Sequence, residues 1–139
     1  MKMVAAVSIS SGLLAALVAD CAATPALERC GLLFGREGMI DHVASAPNVA
    51  ATPANSFEID PAMLVAAHRA ARGGGPQVIG HYHSHPTGRA WPSTRDALSA
   101  GGDGQLWLIV AGEEANLFRA TAGGPVAGAF EALLLRVTA

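Results

Sequence analysis

Two histidines separated by one residue and followed by a carboxylate are the side chains of this sequence whose types and spacing indicate chemistry. His83 and His85 flank Ser84, and Asp96 follows eleven residues after His85. On an extended strand, side chains two positions apart point to the same face, so both imidazoles can face one ion. Two histidines and one carboxylate, with a fourth position left for water, form a ligand set of catalytic zinc sites. The sequence therefore predicts a metal site at His83, His85 and Asp96.

A third histidine leaves open which pair of histidines forms this site. His81 precedes His83 by two residues, so it lies on the same face of the predicted strand. Geometry along the strand therefore also permits a site formed by His81 and His83. Histidines on an exposed strand are also common without any metal, and the interpretation depends on the residues around them.

The order of these residues resembles the signature of the JAMM (MPN+) metalloproteases, which include the proteasome-lid deubiquitinase and small bacterial and archaeal proteins. After His83 and His85 come seven residues, then Ser93, two further residues and Asp96. The resemblance implies one zinc ion per chain, held by His83, His85 and Asp96. It also implies that Ser93 donates a hydrogen bond to the substrate oxygen. Ser-x-x-Asp at a helix start is similar to a capping box as well, and both roles can hold together.

A glutamate upstream completes the resemblance. Glu28 stands three residues before Gly31, at the start of an apolar run, where the family carries its glutamate. The resemblance implies that Glu28 is the general base, which takes a proton from water and returns it to the leaving amine. Alone, Glu28 would be an ordinary exposed acid before a strand.

Cys30 offers a competing mechanism, in which a cysteine paired with a histidine is the nucleophile. Because Cys30 lies in an apolar run, we expect its side chain to be buried and to act as a small hydrophobic group.

Periodicity and turn residues predict the elements that must position these side chains. We predict strands at 3–9, 30–34, 39–44, 56–59, 77–85, 106–111 and 116–120. A first helix is predicted behind a capping Ser10 or Ser11, a second begins at Pro61 behind the capping Asp60, and a short third one runs from Ser93 to Ala100. The segment 126–137 fits either a helix or a strand. This order indicates an α/β or α+β domain. The resemblance narrows it to a curved mixed β-sheet flanked by two or three helices, as in MPN and cytidine-deaminase-like domains.

Composition indicates one folded domain over residues 1–139. Charged residues make up 14% and apolar residues 51%, which argues against disorder. The formal net charge is −2 with no basic stripe, so nucleic-acid binding is not predicted. The only two cysteines, Cys21 and Cys30, do not form a disulfide framework, and we expect a cytoplasmic protein. Serines interrupt the apolar N-terminal stretch, so neither a signal peptide nor a membrane span is predicted.

Two functions of different classes remain. The resemblance to the compact bacterial members implies a zinc-dependent hydrolase that cuts an amide or isopeptide bond at the C-terminal Gly-Gly tail of a ubiquitin-like, sulfur-carrier type protein. The alternative is a non-enzymatic MPN module that binds a partner protein. The complete set of Glu28, His83, His85, Ser93 and Asp96 favours the enzyme. The oligomeric state stays open at this point.

Overall fold

Seven strands and three helices make up residues 5–139, the part of the chain that the computed structural model describes. The strands are β1 (Ala6–Ser10), β2 (Cys30–Arg36), β3 (Met39–Ala46), β4 (Val78–Ser84), β5 (Leu106–Ala111), β6 (Glu114–Ala120) and β7 (Phe130–Thr138). The helices are α1 (Ser11–Ala22), α2 (Pro61–Arg72) and α3 (Thr94–Ser99). No helix of these residues is long and apolar enough to cross a membrane.

The strands form one mixed sheet in the order β1-β3-β2-β4-β5-β6-β7, which closes into a barrel. Strand β1 pairs in parallel with β7 over five residues, but it meets β3 only at Ser8 and Met39. The backbone N–H of Ser8 also donates to the Gly38 carbonyl at 2.9 Å. The observed sheet is mixed and flanked by helices, as predicted. It differs from the predicted open, curved sheet because it closes into a barrel. Closure depends on the twist accumulated over all the strands, which local patterns do not report.

The side chains of β4 and β5 alternate between two apolar clusters. Tyr82 of β4 and Leu108 of β5 belong to the larger cluster, which α1 covers with Leu17. Trp107 of β5 belongs to the smaller cluster, and His83 of β4 packs against its indole ring. Both faces of β5 are thus buried, as its unbroken apolar run indicates. The same alternation places the histidines on the face away from α1.

Most of the predicted elements are confirmed. Helix α1 begins after Ser10, whose side chain accepts from the Leu13 N–H at 3.1 Å. Helix α2 begins at Pro61 behind the capping Asp60, and β5 has the predicted bounds. The ambiguous segment 126–137 contains a strand, β7. For the first predicted strand, Met3 and Val4 lie outside the described residues.

The strand predicted at 56–59 is wrong. Only an isolated bridge between Asn48 and Ile59 occurs there. The reason lies in the hydrogen bonds of the segment, because its backbone groups bond to a side chain. The Ser56 carbonyl accepts from Asn48 Nδ2 at 3.0 Å, and the Glu58 N–H donates to Asn48 Oδ1 at 3.0 Å. A polar side chain thus takes the place of a neighbouring strand.

Candidate metal centre

Three side chains converge at the C-terminal end of β4. The Nε2 atoms of His83 and His85 are 3.1 Å apart. Asp96 Oδ2 lies 3.2 Å from the first of these atoms and 3.1 Å from the second. Ligand atoms around a tetrahedral zinc ion, with bonds of about 2.0–2.1 Å, are separated by about 3.3 Å. The triangle formed by these three atoms therefore has nearly the dimensions that the ion requires.

The two imidazoles are held by different means. His83 lies within β4 and is completely buried. His85 follows the strand directly, and its backbone N–H donates to the Val110 carbonyl at 2.8 Å. Its Nδ1 lies 2.9 Å from the Arg89 carbonyl oxygen. Because a carbonyl can only accept, this contact assigns the Nδ1 proton and leaves the Nε2 lone pair for a cation.

A capping box at the start of α3 orients the carboxylate. The backbone N–H of Ser93 donates to Asp96 Oδ2 at 2.9 Å, and the N–H of Asp96 donates to Ser93 Oγ at 3.0 Å. The box turns the Asp96 side chain towards the two histidines. Ser93 itself is exposed at the edge of the site. Because its Oγ accepts the capping bond, its hydroxyl proton stays available to another acceptor.

The charges of these groups suit a cation. Burial lowers the pKa of His83, which keeps its imidazole neutral. Burial alone would raise the pKa of Asp96, but hydrogen bonds with His83 and His85 hold it far below its usual range. Burial would lower the pKa of His85, but its hydrogen bonds with Asp96 and the Arg89 carbonyl raise it. A bound cation would displace any proton from its Nε2, and the two ring nitrogens and the carboxylate would then direct lone pairs at one point. A metal ion satisfies all three groups at once, so the donor set fits zinc.

Glu28 stands beside this triangle. The residue is 6% exposed, and one of its carboxylate oxygens lies within 4.8 Å of ring nitrogens of His83 and His85. These three side chains are a second possible ligand set. Asp96 Oδ2 lies within hydrogen-bond distance of both Nε2 atoms, at 3.2 and 3.1 Å, and is therefore the third ligand that we prefer. Within residues 5–139, Glu28 Oε1 has no hydrogen-bond partner.

The pKa of the Glu28 carboxyl suits proton transfer. Burial raises its pKa to about 7, with a further increase from Asp96, while His85 and Arg95 act in the opposite direction. A carboxyl group with a pKa near neutrality can both accept and return a proton at physiological pH. Burial also raises the pKa of Cys30 to about 11, so its thiol stays protonated and is a poor nucleophile.

His81 is separated from the convergent group. Its ring lies 4.5 Å from the Trp107 ring and 6.5 Å from the His83 ring, measured between centroids. Burial lowers its pKa to about 3, and its Nδ1 has no partner in the described part of the chain. The structure therefore brings His83, His85 and Asp96 together and leaves His81 among aromatic side chains.

Several positioning contacts were missed by sequence reasoning. The Phe57 ring stacks on His83 with centroids 4.2 Å apart and an interplanar angle of 18°. Ser84, between the two histidines, accepts from the Arg29 N–H through its Oγ at 2.9 Å and donates its own N–H to the Arg29 carbonyl at 3.0 Å. These contacts join residues far apart in sequence. Nothing in their local pattern signals them.

The glycine of the upstream motif has a steric reason. A Cβ atom on Gly31 would lie 2.2 Å from Cε2 of Tyr82. The missing side chain lets the Tyr82 ring cross β2 and donate its hydroxyl to Asp20 at 2.8 Å. Asp20 also accepts from Arg29 at 2.6 Å. Gly31 thus permits a network that fixes the residue next to Glu28.

We expect Glu28 to make the metal-free protein less stable as pH rises. Its folded pKa of about 7 exceeds the unfolded value of about 4.3, so the unfolded chain loses the proton first. The free energy of unfolding should therefore decrease as the pH rises from about 4.3 to about 7. Glu28→Gln should stabilise the metal-free protein at pH 8 by on the order of 2–3 kcal/mol, with little effect at pH 4.

Urea unfolding at both pH values in the presence of a chelator measures this difference. Glu37→Gln, a substitution in the exposed turn between β2 and β3, is the control and should change the stability little at either pH. Equal stability of Glu28→Gln and the wild type at pH 8 would contradict the assigned environment of Glu28.

Two curated proteins are similar to this chain in sequence. A desampylase from Haloferax volcanii is 37% identical over 90 residues, which cover 63% of this chain and 65% of that protein. A probable TtuB-protein conjugate cleaving protease from Thermus thermophilus is 35% identical over 100 residues, covering 65% and 67%. The matches thus span about two thirds of the length of these relatives.

The fold has a counterpart among solved structures, and a family model covers most of the chain. A JAB1/MPN domain protein from Archaeoglobus fulgidus superimposes with a TM-score of 0.62 at 20% identity, over 95% of this chain and 97% of that one. This likeness concerns the fold. The model for prokaryotic homologs of the JAB domain matches residues 10–122. The JAMM resemblance of the motif is therefore confirmed, and the chain belongs to the family of prokaryotic homologs of the JAB domain.

Proposed function

We propose that this chain is a zinc metallopeptidase that hydrolyses the amide bond at the C-terminal tail of a ubiquitin-like protein of the sulfur-carrier type. The observation that carries the proposal is the convergence of His83, His85 and Asp96 within 3.2 Å of one another, beside the buried carboxyl of Glu28. The names of the two relatives, a desampylase and a conjugate-cleaving protease, support the substrate class.

In this proposal each side chain has one task. His83, His85 and Asp96 hold one zinc ion per chain. When bound, the ion lowers the pKa of water to about 7 and polarises the scissile carbonyl. Glu28 removes a proton from the attacking water and returns it to the leaving amine, which its pKa near neutrality supports. Ser93 donates its hydroxyl proton to the substrate carbonyl oxygen, since its own oxygen already accepts from Asp96.

The substrate would present an extended tail that ends in Gly-Gly before the scissile bond. We propose that residues 1–139 act as one domain in the cytoplasm, where ubiquitin-like carriers and their conjugates are expected. The test is mass spectrometry after incubation of the zinc-loaded protein with a carrier extended beyond Gly-Gly. Release of the extension by the wild type, and no release from a carrier that ends in Ala-Ala, is the expected result.

The alternative is a non-enzymatic module that binds a partner. A binding-only domain has no need of a buried carboxyl whose pKa is raised to about 7 beside a metal site. If the zinc-loaded wild type and Glu28→Gln are equally inert on several carrier fusions but bind them with equal affinity, the binding function replaces the enzymatic one.

Ser93→Ala should lower the turnover number by about 10²–10³, as does the removal of one oxyanion donor in other hydrolases. Zinc content and the Michaelis constant should change little, because Ser93 provides no ligand atom. Steady-state kinetics on the carrier fusion measures the effect. Ser93→Thr keeps both the hydroxyl and a capping side chain and should restore most activity.

Ser99→Ala, at the other end of α3, is the control for changes in that helix. A Ser93→Ala protein that loses its zinc or unfolds would instead assign Ser93 mainly to helix capping.

A further inference from the structure

We infer that the segment 48–58 positions both the general base and one metal ligand, through Asn48 and Phe57. The inference rests on the proposed function. It concerns two residues that touch neither zinc nor water in that function but hold the residues that do. Asn48 acts on Glu28 through the backbone, and Phe57 acts on His83 through its ring.

The Asn48 amide uses all of its hydrogen-bonding capacity. Its Nδ2 donates to the carbonyls of Glu28 at 2.9 Å and of Ser56 at 3.0 Å. Its Oδ1 accepts from the N–H groups of Ala50 and Glu58, both at 3.0 Å. A carboxamide offers two donor hydrogens and an oxygen with two lone pairs. The four contacts therefore fix the amide in one orientation. Turning it by half a rotation would point its NH2 group at two N–H donors and its oxygen at two carbonyl oxygens.

The backbone of Glu28 depends on this segment on both sides. Its N–H donates to the Pro53 carbonyl at 2.8 Å, and its carbonyl accepts from Asn48. The following residue, Arg29, is bonded to Ser84 between the two candidate ligands. The distance from the Glu28 carboxyl to the metal site is thus determined by the segment on one side and by β4 on the other.

Asn48 bonds the backbone on both sides of Phe57. It donates to the Ser56 carbonyl before it and accepts from the Glu58 N–H after it. The Phe57 ring stacks on the imidazole of His83 at 4.2 Å. In the described part of the chain the buried Nδ1 of His83 has no hydrogen-bond partner. A metal-binding histidine almost always donates that N–H to a carboxylate or a carbonyl, which sets the angle of the ring. Here packing sets that angle instead. The phenyl ring stacks on the imidazole, and the Trp107 ring meets it edge-on, with the ring centroids of His83 and Trp107 5.8 Å apart.

One amide therefore connects the base and the ligand. If Asn48 loses its donors, the Glu28 carbonyl is released directly. The hold on Phe57 is also weakened, because the Ser56 carbonyl before it loses its partner, while the Glu58 N–H after it keeps its acceptor. The two effects have different readouts. Displacement of Glu28 lowers the turnover number, whereas displacement of Phe57 weakens zinc binding.

The first experiment measures zinc affinity by competition with a chromophoric chelator, without any substrate. Phe57→Leu removes the stacked ring, and we expect zinc affinity to fall by about 10–100-fold, as for the loss of other groups that orient a ligand. Phe34→Leu is the matched control, because that buried ring packs against His42 near the far end of β2. Its zinc affinity should equal that of the wild type. Unchanged affinity in Phe57→Leu, or an equal loss in Phe34→Leu, would refute the role of Phe57.

The second experiment uses Asn48→Asp, which keeps the shape but turns a carboxylate oxygen towards two carbonyl oxygens. At saturating zinc we expect the turnover number to fall about 100-fold with little change in the Michaelis constant, as for a displacement of about 1 Å in a catalytic group. Gln77→Glu is the control, since the Gln77 amide also bridges two carbonyls, those of Ala71 and Gly75, but at the other end of β4.

A double-mutant cycle separates the two effects. If Asn48 acts on zinc through Phe57, Asn48→Asp should weaken zinc binding in the wild type and add no further loss in Phe57→Leu. A variant Asn48→Asp with wild-type zinc affinity and turnover, and only a lower melting temperature, would overturn the inference. A wild type that cleaves no carrier but follows the zinc predictions would refute the proposed function and leave the positioning of His83 standing.

Discussion

Glu28→Gln should abolish detectable turnover while the protein keeps its zinc. Glutamine has nearly the shape of glutamate but cannot take a proton from water, and the loss of a general base typically costs about 10²–10⁴ in rate. Since Glu28 would serve both the attacking water and the leaving amine, we expect the upper end of that range. Single-turnover cleavage of the carrier fusion, with zinc measured on the same sample, tests the prediction.

Two comparisons make this result specific. Cys30→Ala should keep most of the activity, because the buried thiol, with its pKa raised to about 11, has no part in the reaction. A chelator should remove the activity, and added zinc should restore it. An active Glu28→Gln protein, or a well-folded Cys30→Ala protein without activity, would overturn the proposed mechanism in favour of another nucleophile or base.

Loss of any one of the three proposed ligands should remove the metal. We expect one zinc ion per wild-type chain, and less than a tenth of that in His83→Ala or Asp96→Ala, because three protein ligands are the usual number for a catalytic site. Elemental analysis of protein purified without added metal measures the stoichiometry. The increase in melting temperature that zinc gives the wild type should also disappear, since binding to the folded state alone causes it.

His81→Ala is the matched control, because it removes a histidine from the same face of β4. It should keep one zinc ion per chain, since the His81 ring lies among Phe57 and Trp107 and away from the other donors. Zinc lost only in His81→Ala would favour the alternative register at His81 and His83. Full zinc in both His83→Ala and Asp96→Ala would refute the proposed site.

Several features were determined by short stretches of sequence. The apolar run at 106–111 predicts β5 with its observed bounds, because a strand buried on both faces reads as a continuous apolar segment. Asp60-Pro61 predicts the start of α2, and Ser93-x-x-Asp96 predicts a capped helix, because helix caps require donors and acceptors within three residues. Resemblance to the family motif linked Glu28 to the histidines.

Other features were decided only by the tertiary structure. The position of α3, which brings Asp96 within 3.1 Å of His85, favours His85 over His81 as the proposed partner of His83. Closure of the barrel through β1, and the replacement of the strand predicted at 56–59 by contacts with Asn48, likewise depend on which distant segments meet. Local patterns report helix caps, turns and the face that a side chain takes. They do not report which distant side chains hold a buried residue in place, such as Asn48, which donates to the Glu28 carbonyl, and Phe57, which stacks on the His83 ring.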